Sequence, residues 1–298
     1  MRIRLLTPFV VAVSSLVLAS CANTSSGGGV AAGTEADTTT SSGKDTTTST
    51  GGDTGTTAKT DTTSQSGTEK SIVDIQKASA ACTGDPASFG DVAGLTIRNA
   101  VVASPARKQT TDGSLVGIYV QQKGGGQWSG IYVIGKKDSE IGQVAPGDVI
   151  TITGDVKDYY CFTEMNNKFA VIESQGQEMP MPVTVTTADI GEIAGKDKTE
   201  PYEGVLVQLH DVVVGDDALG SDGKPHGEQY VGKTADEKAL RIGSSFFGVY
   251  LSDKNADGTY SEKYPKGTKL GTLTGVLQYS FGAFTLVITK DPENVVKP

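Results

Sequence analysis

Histidine is nearly missing from this 298-residue sequence: there are two, beside three cysteines and one tryptophan. So few nitrogen and sulfur ligands exclude a dense zinc or haem protein. Positive charge is also short. Lys and Arg number 26 against 35 Asp and Glu, for a net charge of −9. That balance excludes a chain built throughout as a nucleic-acid clamp, whose footprint is basic. Apolar residues make up 37 % and aromatics 6 %, against the ~45–50 % apolar content of an ordinary globular chain, so some segment contributes nothing to a core. No Gly-x-Ser-x-Gly, His-Glu-x-x-His, phosphate loop or dinucleotide fingerprint occurs. His210 and His226, the two histidines, fall at a strand start and in a Gly/Asp loop. The chain is therefore expected to bind rather than to catalyse. What is abundant is glycine, with 38 residues, which suits a turn-rich β protein.

The one long apolar run, Leu5 to Ala19, follows Arg2 and Arg4. At about 15 residues it is too short to span a bilayer and has the layout of a secretory leader. Leu18-Ala19-Ser20-Cys21 resembles the lipobox of bacterial lipoprotein signal peptides. The resemblance implies cleavage after residue 20, a lipid on the Cys21 sulfur, palmitate on the new amine, and membrane attachment through that anchor. Ala22, in place of the Asp that retains enteric lipoproteins in the inner membrane, points to the outer membrane. Residues 22–70 are Thr, Ser, Gly and Asp without an aromatic residue. Such a segment cannot bury enough apolar area to offset ordering and reads as a disordered tether, with an r.m.s. reach of about 35–42 Å.

Beyond residue 95 the chain reads as short strands between Gly, Asp and Pro turns, as in Gly117-Ile118-Tyr119-Val120-Gln121 and Gly130-Ile131-Tyr132-Val133-Ile134. Two helices are expected, over residues 71–81 and 187–190. The β region also repeats. Asn99-Ala100-Val101-Val102 matches His210-Asp211-Val212-Val213 at an offset of 111, and Pro146-Gly147-Asp148 through Ile152-Thr153-Gly154 matches Lys266-Gly267-Thr268 through Leu273-Thr274-Gly275. An aromatic patch follows each Thr-Gly. The layout is a leader over 1–20, a lipidated tether over 21–70, a first β unit over 71–175, a connector over 176–203 and a second β unit over 204–298. The expected fold class is all-β: two tandem five-stranded Greek-key barrels of the OB type. The run from Gly117 through Tyr132 and Thr153-Gly154 to Thr163-Glu164, with Glu200-Pro201-Tyr202-Glu203-Gly204, resembles the OB-fold segment of secreted bacterial endonucleases. The ending Leu273 to Gly282 is similar to C-terminal units of delta-proteobacterial lipoproteins. The nucleases carry catalysis in a separate domain that has no counterpart in these residues.

Three groups of residues in the β region are candidates for function. If Ile118, Val120, Ile131 and Val133 point into the first barrel, alternation turns Tyr119, Gln121 and Tyr132 outward. With Trp128 and Lys123 in the turn between them, they read as a stacking face for a ligand. Asp253, Asn255, Asp257 and Thr259 match the opening positions of a calcium loop; Tyr264 stands where such a loop has its bidentate Glu, and plain Asx-turn chemistry is the competing reading. No cofactor is required, and calcium is the one ion the pattern suggests. With Cys21 lipidated, Cys82 and Cys161 remain as a pair for one disulfide in an oxidising envelope. The functional expectation is an envelope lipoprotein that presents its barrels to a protein, glycan or nucleic-acid ligand. An accessory module of an extracellular nuclease system and a purely structural surface protein are the alternatives.

Overall fold

A computed structural model describes residues 67–79, 92–110, 112–220, 222–243, 252–257, 259–280 and 282–298. The leader, Cys21, most of the tether and Cys82 lie outside the described residues. Two closed β-barrels follow one another. The first is built from β1 (Val92–Val102), β2 (Leu115–Gln122), β3 (Gly130–Lys136), β4 (Val149–Asp158) and β5 (Thr163–Ser174). Strand β1 pairs with β2, β2 with β3, β3 in parallel with β5, β5 with β4, and β4 back with β1. This 1-2-3-5-4-1 closure is the OB topology. The second barrel repeats it with β6 (Leu206–Leu219), β7 (Pro225–Gly232), β8 (Leu240–Ile242), β9 (Lys269–Ser280) and β10 (Ala283–Ile288). There β8 and β10 form the parallel pair and β9 closes on β6.

Alternation explains the first core. Ile118, Val120, Ile131 and Val133 pack with Ile97, Ile150, Ile152 and Met165 inside the barrel. One helix, α1 (Ile72–Ser79), adds Ile72 and Ile75 to the same cluster. Ser71 caps it: its hydroxyl accepts from the Asp74 N–H at 3.0 Å and donates to the Asp74 carboxylate at 2.7 Å, satisfying one free N–H of the first turn. The second expected helix is absent. Residues 187–190 form turns, held by the Asp189 carboxylate accepting from the Thr186 N–H and hydroxyl. A single helical turn lies later, at Lys196–Thr199.

The internal repeat is structural, with one correction of register. In the first barrel the Gly147 N–H donates to Val102 O at 2.9 Å and the Val102 N–H to Asp148 O at 2.8 Å; in the second, Gly267 donates to Val214 O and Val214 to Thr268 O, both at 2.8 Å. Both glycines have φ +92°, where a side chain would be strained. Val102 therefore corresponds to Val214, an offset of 112 and not 111. Asn99 (φ +53°) and Asp211 (φ +52°) then coincide as well; Asn and Asp tolerate that left-handed geometry better than most residues.

Candidate functional site

The two barrels share a buried seam. Tyr119 and Tyr132 are cross-strand partners in β2 and β3, so their rings lie on one face, with centroids 4.8 Å apart. Phe162 stacks on Tyr132 at 5.3 Å. Leu206, Val276 and Val287 of the second barrel cover this aromatic group. Hydrogen bonds lock the seam. The Gln121 Oε1 accepts from the Leu206 N–H at 3.1 Å, the Glu203 Oε1 from the Thr163 N–H at 3.0 Å, and Pro201 O from the Trp128 N–H at 2.6 Å. Backbone meets backbone at Gly130 and Gly204: a Cβ on Gly130 would lie 2.0 Å from the Gly204 carbonyl oxygen.

This arrangement overturns the expected stacking face. Tyr119, Gln121 and Tyr132 do turn out of their barrel, as alternation requires, but the second barrel covers them; each is at most 1 % exposed. Lys123 is exposed in the β2–β3 turn, and Trp128 is half-buried against the connector at φ +65°. These five residues therefore form no open surface. The signal for the seam lies in β6, β9 and β10, where Val205-Leu206-Val207, Val276-Leu277 and Leu286-Val287-Ile288 run apolar without alternation. A strand apolar on both faces is buried on both faces.

What remains open is a cleft at one end of the seam, about 870 Å³ in volume, within the ~300–1,000 Å³ range of small-ligand sites. Its walls include Tyr132, Phe162, Tyr279 and Gln278. Its lip is the β4–β5 turn. Tyr159 and Phe162 exchange both backbone hydrogen bonds, at 2.8 and 3.1 Å, leaving Tyr160 and Cys161 as a two-residue loop at φ +54° and +67°. Positive φ at both central residues is the mark of a type I′ hairpin, usually Asn-Gly. A Tyr-Cys pair there stores strain of about 1–3 kcal/mol per residue, a feature that clusters at functional sites. The turn holds Tyr159 and Tyr160 54 % and 57 % exposed, ring edge to ring face at 4.8 Å. Sequence reading registers the aromatic patch but not the turn, because propensity disfavours these residues at positive φ. Cys161 is buried and has a bonding partner; Cys82 lies outside the described residues.

The polar groups of the cleft are Gln109, Thr110, Lys157, Glu164, Gln278 and Ser280, with the tyrosine hydroxyls. Lys157 and Glu164 are cross-strand partners with Nζ to Oε1 at 2.9 Å, and the Lys157 ammonium also sits over the Tyr159 ring at 5.0 Å. Burial raises the Glu164 carboxyl above the usual range, opposed by its bond to Lys157. Behind the cleft wall stand Asp158, Glu200 and Glu203. Burial lifts Asp158, pushes Glu200 up to about 7, and holds Glu203 well above the ordinary value. The charge of Glu200 raises Glu203 further. Lys196 lies over the Tyr279 ring at 5.1 Å and draws Glu200 the other way. Among the described residues, Gln278 Oε1, Glu200 Oε2 and Glu203 Oε2 are buried without a hydrogen-bond partner.

The calcium-like loop is the tip of a separate hairpin between strands Ser252–Lys254 and Tyr260–Glu262. The Asp257 Oδ1 accepts from the Thr259 N–H at 3.0 Å and from its hydroxyl at 2.6 Å, and Thr259 O accepts from the Asn255 N–H at 2.7 Å. The Asn255 side chain donates to the Thr259 Oγ1 and accepts from the Ser261 hydroxyl, both at 2.9 Å. The oxygens of Asn255, Asp257 and Thr259 thus close the turn, and Asp253 lies within the first strand, opposite Ser261. Among the described residues no three His, Cys, Asp or Glu side chains gather as a metal-ion site.

No protein-family model matches the chain. No curated protein matches it either. Among solved structures it is similar to a mitochondrial single-stranded DNA-binding protein of S. cerevisiae, at 12 % identity and TM-score 0.25 over 30 % of this chain and 99 % of that one. It is similar to the second OB-fold domain of replication protein A from Methanococcus maripaludis, at 24 % identity and TM-score 0.21 over 28 % and 88 %. A murine DNA-binding protein bound to double-stranded DNA aligns over 70 % of this chain and all of its own length, at 12 % identity and TM-score 0.32. With TM-scores this low, the OB assignment rests on the strand closure of each barrel.

Proposed function

We propose that this protein is a non-catalytic, lipid-anchored binding module whose ligand sits in the cleft between its two OB barrels. One observation carries the reading: Tyr159 and Tyr160 stand exposed on a strained turn at the mouth of that cleft. Anchoring follows from the lipobox ending at Cys21, with residues 22–70 as the tether and the outer membrane as the destination. The staple Cys82–Cys161 belongs to the same proposal; it fastens the strained turn to the segment after α1 and holds the lip in shape. The test applies envelope extract to the immobilised full chain and to a Tyr159→Ala/Tyr160→Ala variant. Retention of a component by the parent and its loss from the variant, at equal melting temperature, supports the cleft. Equal retention moves the recognition surface elsewhere. For the anchor, labelled palmitate is incorporated by the parent and not by Cys21→Ser; incorporation by both refutes it.

A further inference from the structure

The chemistry of the cleft names a class of ligand. We infer that it takes a neutral, hydroxyl-rich oligosaccharide, an inference that rests on the cleft being the binding site.

Four features converge. First, the mouth offers two exposed tyrosine rings at right angles, Tyr159 and Tyr160, above a floor to which the buried Tyr132 and Phe162 contribute. Ring faces of this kind receive the apolar C–H faces of sugar rings, and each tyrosine keeps a polar tip for the wet edge of the ligand.

Second, the site holds a buried acceptor without a partner. Gln278 is 8 % exposed, lines the cleft, and has an Oε1 with no partner among the described residues. A buried acceptor left unpaired costs free energy that an incoming hydroxyl donor recovers. The Gln109 Oε1 at the same wall already accepts the Tyr132 hydroxyl at 2.5 Å. Third, free positive charge is scarce on the wall: Lys157, the one Lys or Arg lining the cleft, is already bonded to the Glu164 carboxylate at 2.9 Å. A phosphodiester chain entering here meets that filled pair. Strong phosphate binding needs clustered cations that can release counterions.

Fourth, the cationic places are filled from within. Lys157 lies over Tyr159 and Lys196 over Tyr279, so two ring faces that would otherwise draw an ammonium or guanidinium are occupied by the chain's own ammonium groups. With both ammonium groups engaged, and the Tyr160 ring and the Gln278 oxygen left to a ligand, a neutral hydroxyl donor is the matching chemistry.

The experiment uses the full chain and four neutral hexasaccharides, those of the cellulose, chitin, xylan and maltodextrin types, with oligothymidylate and oligolysine as charged comparators. Binding is read by titration calorimetry at low and high salt. The inference expects at least one hexasaccharide to bind with an affinity that salt leaves unchanged. It further expects Tyr159→Ala/Tyr160→Ala to weaken that affinity by about ten-fold or more, with Gln278→Met also weakening it. If none of the four binds, the inference is overturned. If a charged comparator binds instead and is lost in the double variant, the ligand class is wrong while the cleft stands. If a hexasaccharide binds equally to the parent and both variants, the inference fails together with the cleft reading.

Discussion

A single added methyl tests how the two barrels are joined. In Gly130→Ala the new Cβ would lie 2.0 Å from the Gly204 oxygen, 2.2 Å from its carbonyl carbon and 2.7 Å from the Val205 nitrogen. All three are backbone atoms, so no rotamer change relieves the clash. The φ of Gly130 lies outside the left-handed region, which leaves sterics as the only cost. Restoring a tolerable contact requires the barrels to separate by about 1 Å, and over-packing of this kind costs roughly 1–3 kcal/mol. The same shift stretches the Gln121–Leu206 and Glu203–Thr163 bonds, now 3.1 and 3.0 Å, beyond hydrogen-bonding reach, for a further ~0.5–1.5 kcal/mol each. A total of about 2–6 kcal/mol should lower the melting temperature by roughly 4–24 °C in a folded region of this size. Trp128 is the only tryptophan of the chain and bonds across the seam through its N–H. Its emission should therefore move to longer wavelength, and acrylamide should quench it more. A variant that melts within about 2 °C of the parent, with unchanged emission, would refute the close backbone approach.

The buried carboxylates give the seam a pH dependence. Their folded-state values are raised, so the folded form holds more protons than the unfolded one and stability falls as pH rises; for Glu200 the loss runs from about 4.5 to about 7. At about 1.4 kcal/mol per unit, reduced for solvent at its rim, Glu200→Gln should gain about 1–2 kcal/mol at pH 8 and almost nothing near pH 4. Glu203→Gln should act in the same direction over a window that opens at 4.5 and reaches higher; denaturant titration at the two pH values checks both, and a gain at the acid end would contradict the assignment. Tyr132→Ala should cost about 3–5 kcal/mol by emptying a fully buried site, whereas Tyr132→Phe should lose only the bond to Gln109, about 1 kcal/mol; thermal unfolding that shows both variants to be harmless would restore the open stacking face. Asn99→Val and Asp211→Val place a β-branched residue at φ +53° and +52° and should each cost about 1–3 kcal/mol, while the Gly variants should stay near the parent. Unequal effects at the two sites would break the equivalence of the repeats.

The fold was legible because its signals are local. Inward Ile118, Val120, Ile131 and Val133 alternate with outward partners, and Pro146-Gly147-Asp148 and Lys266-Gly267-Thr268 mark the same turn in each barrel. The offset of 111 from residue identity, Val against Val, differs by one from the structural 112, because the geometry that aligns Asn99 with Asp211 shows only in φ. The expected helix over residues 187–190 stops after a turn because Gly191, at φ +96°, leaves helical geometry at once, although Thr186 and Asp189 make cap-like bonds before it. The site was legible in composition and misplaced in space. Outward tyrosines on β2 and β3 say nothing of what covers them, since a seam between two barrels is a non-local contact. Only the unbroken apolar runs of β6, β9 and β10 carry that information.

The seam also explains why two copies of one fold behave differently. The outer face of β2 and β3 in the first barrel packs on β6, β9 and β10 of the second, so the contact is head-to-tail and joins unlike surfaces. A head-to-tail contact repeats indefinitely unless the last copy is altered. The corresponding outer face of the second barrel lies on β7 and β8. There the cross-strand pair is Tyr230 and Arg241, where the first barrel has two tyrosines. The Arg241 guanidinium lies 5.6 Å from the Tyr230 ring centroid, Lys238 adds a second cation at 5.7 Å, and Arg241 bonds Glu192 at 3.2 Å. Covering that face with a further barrel would bury charged groups that water now solvates, at a cost of several kcal/mol per ion. An arginine thus stands where the first barrel has the tyrosine of its docking face. Among the described residues the apolar seam and its cleft occur once.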